Sequence, residues 1–241
     1  MAEKNIFLTA EWRKLILANY VVDKEILLKY LPPFTELDDW QGKHYVSLVG
    51  FMFVNTSLLG YKIPFHGKFE EVNLRFYVKY NDNGIWKRGA VFISEIVPKQ
   101  MITLVANNIY NEKYRTAQMT HNWFEGDDQL NVEYAWKTNQ QWNKFSVVSS
   151  NKSETMKTGS EDEFITEHYW GYTKITSQVT SEYGVGHPRW EVYPIQDYKI
   201  EVDFEANYGK EFAFLSNVKP NSIILAEGSP IHVMKGKKLT S

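Results

Sequence analysis

"FEEVNLRFYVKYNDNGIWKRGAVFISEIVPKQ", residues 69–100, is the stretch on which the fold of this chain turns. Taken with period two, Val72, Leu74, Phe76, Val78 and Tyr80 form one apolar stripe, and Glu71, Asn73, Arg75, Tyr77 and Lys79 form the opposite face. That alternation predicts a β-strand. "NDNG" at 81–84 supplies Asn and Gly residues that accept the positive φ of a tight turn, so residues 72–80 should pair with 85–97 as a hairpin. A strand of this kind usually turns its polar face to water. Whether this polar face is merely wet or lines a pocket bears on everything functional that follows.

The partner strand carries the more unusual residue. In "AVFISEIV", alternation places Glu95 with Val91, Ile93 and Val97, and Phe92, Ser94 and Ile96 on the other face. Both faces are largely apolar, as in a strand covered on both sides. A carboxylate there must be paired, hydrogen-bonded or protonated, because desolvation disfavours its charge. It reads either as a structural glutamate satisfied by Arg75 or Arg88 across the hairpin, or as a proton carrier. Pro98 suits the first position of a helix over 98–110, with Ile102, Val105, Ala106 and Ile109 on one face. Lys99 would sit in its first turn, where the helix dipole lowers an amine pKa only slightly, and only burial would bring it near neutrality. An ordinary solvated lysine is the alternative.

Working outward, residues 11–22 are ambiguous between strand and helix, and Asp23 reads as the N-cap of a short helix over 24–31 that Pro32 and Pro33 end. An apolar strand follows at 44–55. Leu130, Val132, Tyr134 and Trp136 alternate in a second hairpin, and 149–163 is a polar loop. Strand-like segments recur near 168–180, 189–204, 211–216 and 222–235. No repeat, linker or low-complexity tract divides the chain, so one domain over 1–241 is expected, mainly antiparallel β with a few short helices.

The totals narrow the function classes. With 43% hydrophobic residues, including 15 Tyr, 14 Phe and 8 Trp, the chain can build a large core and aromatic pocket walls. No cysteine is present, which removes disulfides and thiolate chemistry. The net charge is −2 with both signs mixed, which argues against nucleic acid as a partner. No apolar run approaches a membrane span, and "MAEKNIFLTAEWRKL" has no signal-peptide core, so a cytoplasmic location is expected. The six histidines show no metal-ligand spacing, so neither a metal nor a cofactor is expected. His168 in "EHYWGYT" and His187 in "GVGHPRW" sit among aromatics and could line a pocket.

The opening stretch, together with "NNIYNEKYRTAQM", "EHYWGYT" and "NSIILAEGSPIHVM", resembles the DUF2071 family of uncharacterised proteins, within the acetoacetate decarboxylase-like superfamily. The resemblance implies an antiparallel β-barrel or cone whose interior holds the site. In the decarboxylases an aromatic-x-Glu strand is followed, after a hairpin, by a Glu and then Pro-Lys-Lys, whose first lysine forms a Schiff base. Phe69-Glu70-Glu71, Glu95 and Pro98-Lys99 match these elements. Gln100 replaces the second lysine, and the Glu95–Pro98 spacing is about two residues shorter, a shift that turns a helical side chain by about 200°. The resemblance implies an internal pocket for a small organic acid or carbonyl compound. Lys99 would be its imine-forming amine and Glu95 its proton shuttle. Arg75 would hold a carboxylate, with Glu71, Asn73, Tyr110, Tyr114 and His168 as further substrate-binding residues. A binding module without chemistry is the alternative, and either is compatible with a homo-oligomer.

Overall fold

Phe69–Asp82 pairs antiparallel with Ile85–Val97, in register from Val72 opposite Ile96 to Asp82 opposite Ile85, as the alternation around "NDNG" requires. Asn83 and Gly84 take left-handed backbone conformations, φ 54° and 92°, which these two residue types adopt most easily. The computed structural model describes residues 5–109 and 111–240.

From the hairpin, neighbours add in order on one side: His44–Leu58, then Ile6–Val22, then Ser222–Met234. On the other side Ile85–Val97 pairs with Trp170–Thr176, which pairs with Val179–Gly186. The last of these reaches Ser222–Met234 through Val185 opposite Val233 and Gly186 opposite His232, so seven strands close into a ring. Every pairing in the ring is antiparallel except that between Ile85–Val97 and Trp170–Thr176. Closure removes the free edges that would otherwise invite pairing with other chains. Two glycines permit it. A Cβ on Gly186 would lie 2.1 Å from the His232 ring, and one on Gly89 would lie 2.4 Å from the Trp170 carbonyl oxygen.

A second, four-stranded sheet (Met119–Glu125, Gln129–Thr138, Gln141–Ser150 and Ile195–Glu201) packs on the outside of the ring. The apolar stripe of the opening strand meets it: Val72, Leu74, Phe76 and Val78 share a fully buried core with Val132, Tyr134, Trp136, Phe145 and Val147. Each such side chain contributes roughly 1.5–3 kcal/mol of transfer free energy. Tyr134 stacks its ring over Gly50, where a Cβ would approach to 2.9 Å, and its hydroxyl donates to the Lys14 carbonyl oxygen at 2.9 Å. Lys14 has φ 51° and sits where pairing with His44–Leu58 slips register, a bulge that turns its carbonyl toward Tyr134.

The ambiguous 11–22 segment is a strand, and it begins at Ile6. Asp23 caps a helix over Lys24–Leu28, accepting from the Glu25 backbone at 3.0 Å, shorter than the 24–31 expected. The second predicted helix spans Gln100–Ile109. The expected strand at 211–216 is instead a 3₁₀ helix over Lys210–Asn217: Phe212 and Leu215, three apart, are buried while Phe214 is exposed. The 149–163 loop contains a two-residue strand and the start of helix Glu161–Thr166, capped by Ser160. Residues 168–180 divide at a turn into two ring strands, and 189–204 into Glu191–Tyr193, Ile195–Glu201 and the start of a helix. Among the described residues no helix is long and apolar enough to cross a membrane.

Candidate functional site

With its apolar stripe against the outer sheet, the opening strand must turn its polar face inward. Glu71, Asn73 and Arg75 line an internal cavity of about 370 Å³. That face is therefore a pocket wall. Pairing shifts by one residue across the hairpin, because Leu74 faces Ser94 while Arg75 faces Phe92. The extra residue, Ile93, breaks the alternation, so Phe92 and Glu95 both reach the cavity although strict period two puts them on opposite faces.

Glu95 then organises the next wall. Its backbone N–H donates to the Lys113 carbonyl oxygen at 3.1 Å, and the short parallel strand Tyr114–Thr116 runs beside it. Asn107 at the end of the second helix clamps Tyr114, donating to its carbonyl at 2.9 Å and accepting from its N–H at 2.8 Å. This docking brings Glu112 and Tyr114 into the same cavity as Glu71 and Glu95. Glu71 accepts from Asn73 Nδ2 at 2.9 Å and from the Tyr114 hydroxyl at 2.8 Å. Glu112 accepts from Thr173 Oγ1 and the Tyr183 hydroxyl, both at 2.8 Å.

The three glutamates are 2%, 2% and 8% exposed, and among the described residues no lysine or arginine lies within ion-pair distance of any of them. Burial raises the Glu71 carboxyl to about 7 against the hydrogen bonds from Asn73 and Tyr114. Glu112 is raised to about 7 for the same reason, against Thr173 and Tyr183. Burial, then the negative charges of Glu112 and Glu71, hold Glu95 well above the usual carboxylate range. The cluster therefore keeps protons at neutral pH that exposed glutamates would have lost.

Among the described residues several buried polar atoms of the wall have no hydrogen-bond partner: Glu95 Oε2, Glu112 Oε2, Asn73 Oδ1, Trp12 Nε1, Thr56 Oγ1, Arg75 Nε and His168 Nδ1. Arg75 donates through Nη2 to the Ile165 carbonyl oxygen at 3.5 Å and lies 5.5 Å over the Tyr77 ring. His168 is held by Asp38 Oδ2 at 3.3 Å, which Arg88 also engages at 2.7 Å. Burial outweighs that carboxylate and pushes the His168 pKa down to about 4, so the ring is neutral, with its Nδ1 unpartnered. Burial would raise Asp38, but the hydrogen bonds from His168 and Arg88 bring it to about 2. The remaining wall is aromatic: Trp12, Phe51, Phe53 and Trp190, with His187 stacked on Trp190 at 4.2 Å.

The structure thus gathers Glu71, Asn73, Arg75, Glu95, Tyr114 and His168 around one cavity. Lys99 is not among the lining residues. It precedes the first helical residue, its carbonyl accepts from Ile102 and Thr103, and the helix face turned to the cavity is Met101, Ile102, Val105 and Ala106. Tyr110 lies outside the described residues. Sequence reasoning missed Glu112, Thr173 and Tyr183. Glu112 sits in "NEKY", a polar stretch that looks like solvated loop, and only the docking beside Glu95 buries it. Among the described residues no set of three His, Cys, Asp or Glu converges closely enough to hold a metal ion.

Solved structures with the same fold include acetoacetate decarboxylase from Legionella pneumophila, 14% identical, TM-score 0.65, with 97% of this chain and 87% of that one covered. An acetoacetate decarboxylase-like enzyme from Sphingomonas wittichii RW1 is 10% identical at TM-score 0.67, covering 99% and 95%. The enduracididine biosynthesis enzyme MppR, in complex with the condensation product of pyruvate and imidazole 4-carboxaldehyde, is 10% identical at TM-score 0.64, covering 99% and 92%. At these identities the likeness is one of fold. The uncharacterized protein YqjF of Bacillus subtilis (strain 168) is 29% identical over 183 residues, 74% of this chain and 72% of that protein. The DUF2071 model, described as an uncharacterized conserved protein, matches residues 9–230, and the chain belongs to that family.

Proposed function

We propose that the internal cavity binds a small organic acid, with its carboxylate against Arg75 and its polar remainder against Glu95, Asn73 and Tyr114. The observation that carries this reading is Arg75, half-buried in the cavity wall, which has no carboxylate within ion-pair distance among the described residues and a buried Nε without a partner. A buried N–H left without an acceptor is costly, and a ligand carboxylate supplies two acceptors in the geometry a guanidinium fits. The aromatic wall would take the apolar part of the ligand. The fold neighbour MppR, solved in complex with pyruvate, supports a ligand of this size.

Proton transfer at the ligand would fall to Glu95, which stays protonated at neutral pH and has a free oxygen. Imine chemistry at Lys99 is the second reading, supported by the match of Pro98-Lys99 to the decarboxylase motif. It requires the Lys99 amine to reach a cavity whose wall it does not form.

Titration calorimetry with short carboxylic and 2-oxo acids, pyruvate and acetoacetate among them, tests the binding reading. Binding should weaken at least about tenfold in Arg75→Met, a loss of about 1.4 kcal/mol. Equal binding by wild type and Arg75→Met would refute the carboxylate assignment. Borohydride treatment with the same acids should leave Lys99 without an adduct by mass spectrometry; a reduced adduct there would favour the imine reading.

A further inference from the structure

Three buried glutamates line one end of this cavity, and among the described residues no lysine or arginine lies within ion-pair distance of them. Glu95 Oε2, Glu112 Oε2 and Asn73 Oδ1 are unpartnered, and these residues are 2%, 8% and 1% exposed. Arg75 Nε and Trp12 Nε1 are unpartnered donors of the wall among the described residues, with Arg75 at the far end of the polar face from Glu71. The tyrosine, threonine and asparagine donors that reach Glu71 and Glu112 are already committed, each to one carboxyl oxygen. A ligand bearing only a carboxylate would satisfy Arg75 and leave the acidic end unmatched. What that end lacks is a donor-rich, positively charged group.

A metal ion does not meet this need, because among the described residues these glutamates form no group that could hold one. A larger organic cation suits carboxylates spread over three different strands and loops, and aromatic faces such as Trp12 and Trp190 tolerate it. From these buried carboxylates without a cation and the position of Arg75 we infer that the ligand is a zwitterion. Its primary ammonium or guanidinium docks between Glu95 and Glu112, and its carboxylate meets Arg75. The inference rests on the carboxylate assignment above and adds the second pole.

A binding cation should drive protons off the cluster. The charged and titratable groups facing it are Glu71 and Arg75 from the opening strand, Glu95 from its partner, Glu112, Lys113 and Tyr114 from the docked segment, and Tyr183 from the ring. Of these, the glutamates hold protons near neutrality that an incoming ammonium would replace.

The experiment compares matched pairs on the full chain by calorimetry: β-alanine with propionate, γ-aminobutyrate with butyrate, 5-aminovalerate with valerate, and 4-guanidinobutyrate with butyrate. At about pH 7.5 at least one cationic member should bind at least about tenfold tighter than its partner, with proton release revealed by different heats in Tris and phosphate. The preference should fall to near unity in Glu112→Gln while binding of the plain acid persists. Equal affinity within every pair, no binding of any cationic probe, or a preference that survives in Glu112→Gln overturns the inference. If plain acids bind and depend on Arg75, the carboxylate reading stands while the zwitterion falls. Should Glu112→Gln not fold, the wild-type pairs and the buffer comparison still decide it.

Discussion

At the scale of single residues the buried glutamates make stability depend on pH with a definite sign. Glu71 and Glu112 titrate near 7 in the fold, raised first by burial, against about 4.3 when unfolded. The native state therefore binds more protons between these values. Stability falls as pH rises from about 4.3 to about 7, and above that the full cost of buried charge is present. Glu112→Gln keeps the shape and removes the charge. Urea denaturation should find it about 1–3 kcal/mol more stable relative to wild type at pH 8 than at pH 4.5. A difference independent of pH would show that the carboxylate is fully compensated. His168 has the opposite sign: its pKa near 4 lies below the unfolded value of about 6.5, so its contribution is complete above 6.5 and is lost as pH falls toward 4. The two effects oppose each other between about 4.3 and 6.5. His168→Gln should uncover a steeper loss of stability with rising pH across that window than wild type shows, measured as melting temperature against pH. None of these shifts is visible in "FEEVNLRF" or "EHYWGYT", because they arise from what surrounds each group after folding.

At the scale of elements, periodicity was informative wherever one physical period dominated. The alternation on both sides of "NDNG" is a hairpin because only period two places Val72, Leu74, Phe76 and Val78 together against the outer sheet. "KEFAFLSN" was misleading because Phe212 and Phe214 alternate, while the fold buries Phe212 and Leu215 on the three-residue period of a 3₁₀ turn. The inward position of Glu95 beside Phe92 depends on the one-residue bulge at Ile93, which alternation alone conceals. Contact between ring and outer sheet depends on Gly50 and Tyr134. Gly50→Ala forces a Cβ to within 2.9 Å of the Tyr134 ring and should destabilise by about 1–3 kcal/mol. Tyr134→Phe, which deletes the hydroxyl bond to the Lys14 carbonyl, should cost about 1 kcal/mol. Urea midpoints of the two variants check both. The neighbours share the ring of Tyr134, so the double variant should show a non-additive loss.

At the scale of the whole molecule, closure of the ring makes the cavity an interior. The joining register is short, Val185 opposite Val233 and Gly186 opposite His232, and the His232 ring fills the space a side chain at Gly186 would need. Gly186→Val should therefore open this seam, cost more than about 2 kcal/mol and weaken binding of any small acid. Denaturant unfolding and calorimetry on the same variant test it. An unchanged midpoint with intact binding would mean that the strands close the cavity by some other contact. Helix Gln100–Ile109 and strand Tyr114–Thr116 cover the same space from the side, through Ile102, Val105 and Tyr114.

The chain by itself determined its strands, its main hairpin and the set of residues on the opening polar face, because side-chain period and turn chemistry act over a few neighbouring residues. It also carried the motifs that place it in its family. Tertiary structure alone decided that this polar face is a pocket wall, because only ring closure and the outer sheet bury both sides of one strand. It alone brought Glu112 and Tyr183 to Glu95, since these residues lie on separate segments and meet by docking. It alone left Lys99 off the cavity wall, because the start of the second helix is set by how Met101, Ile102 and Val105 pack inward. Charge, burial and proximity across long sequence separations are properties of the assembled ring, and no local pattern encodes them.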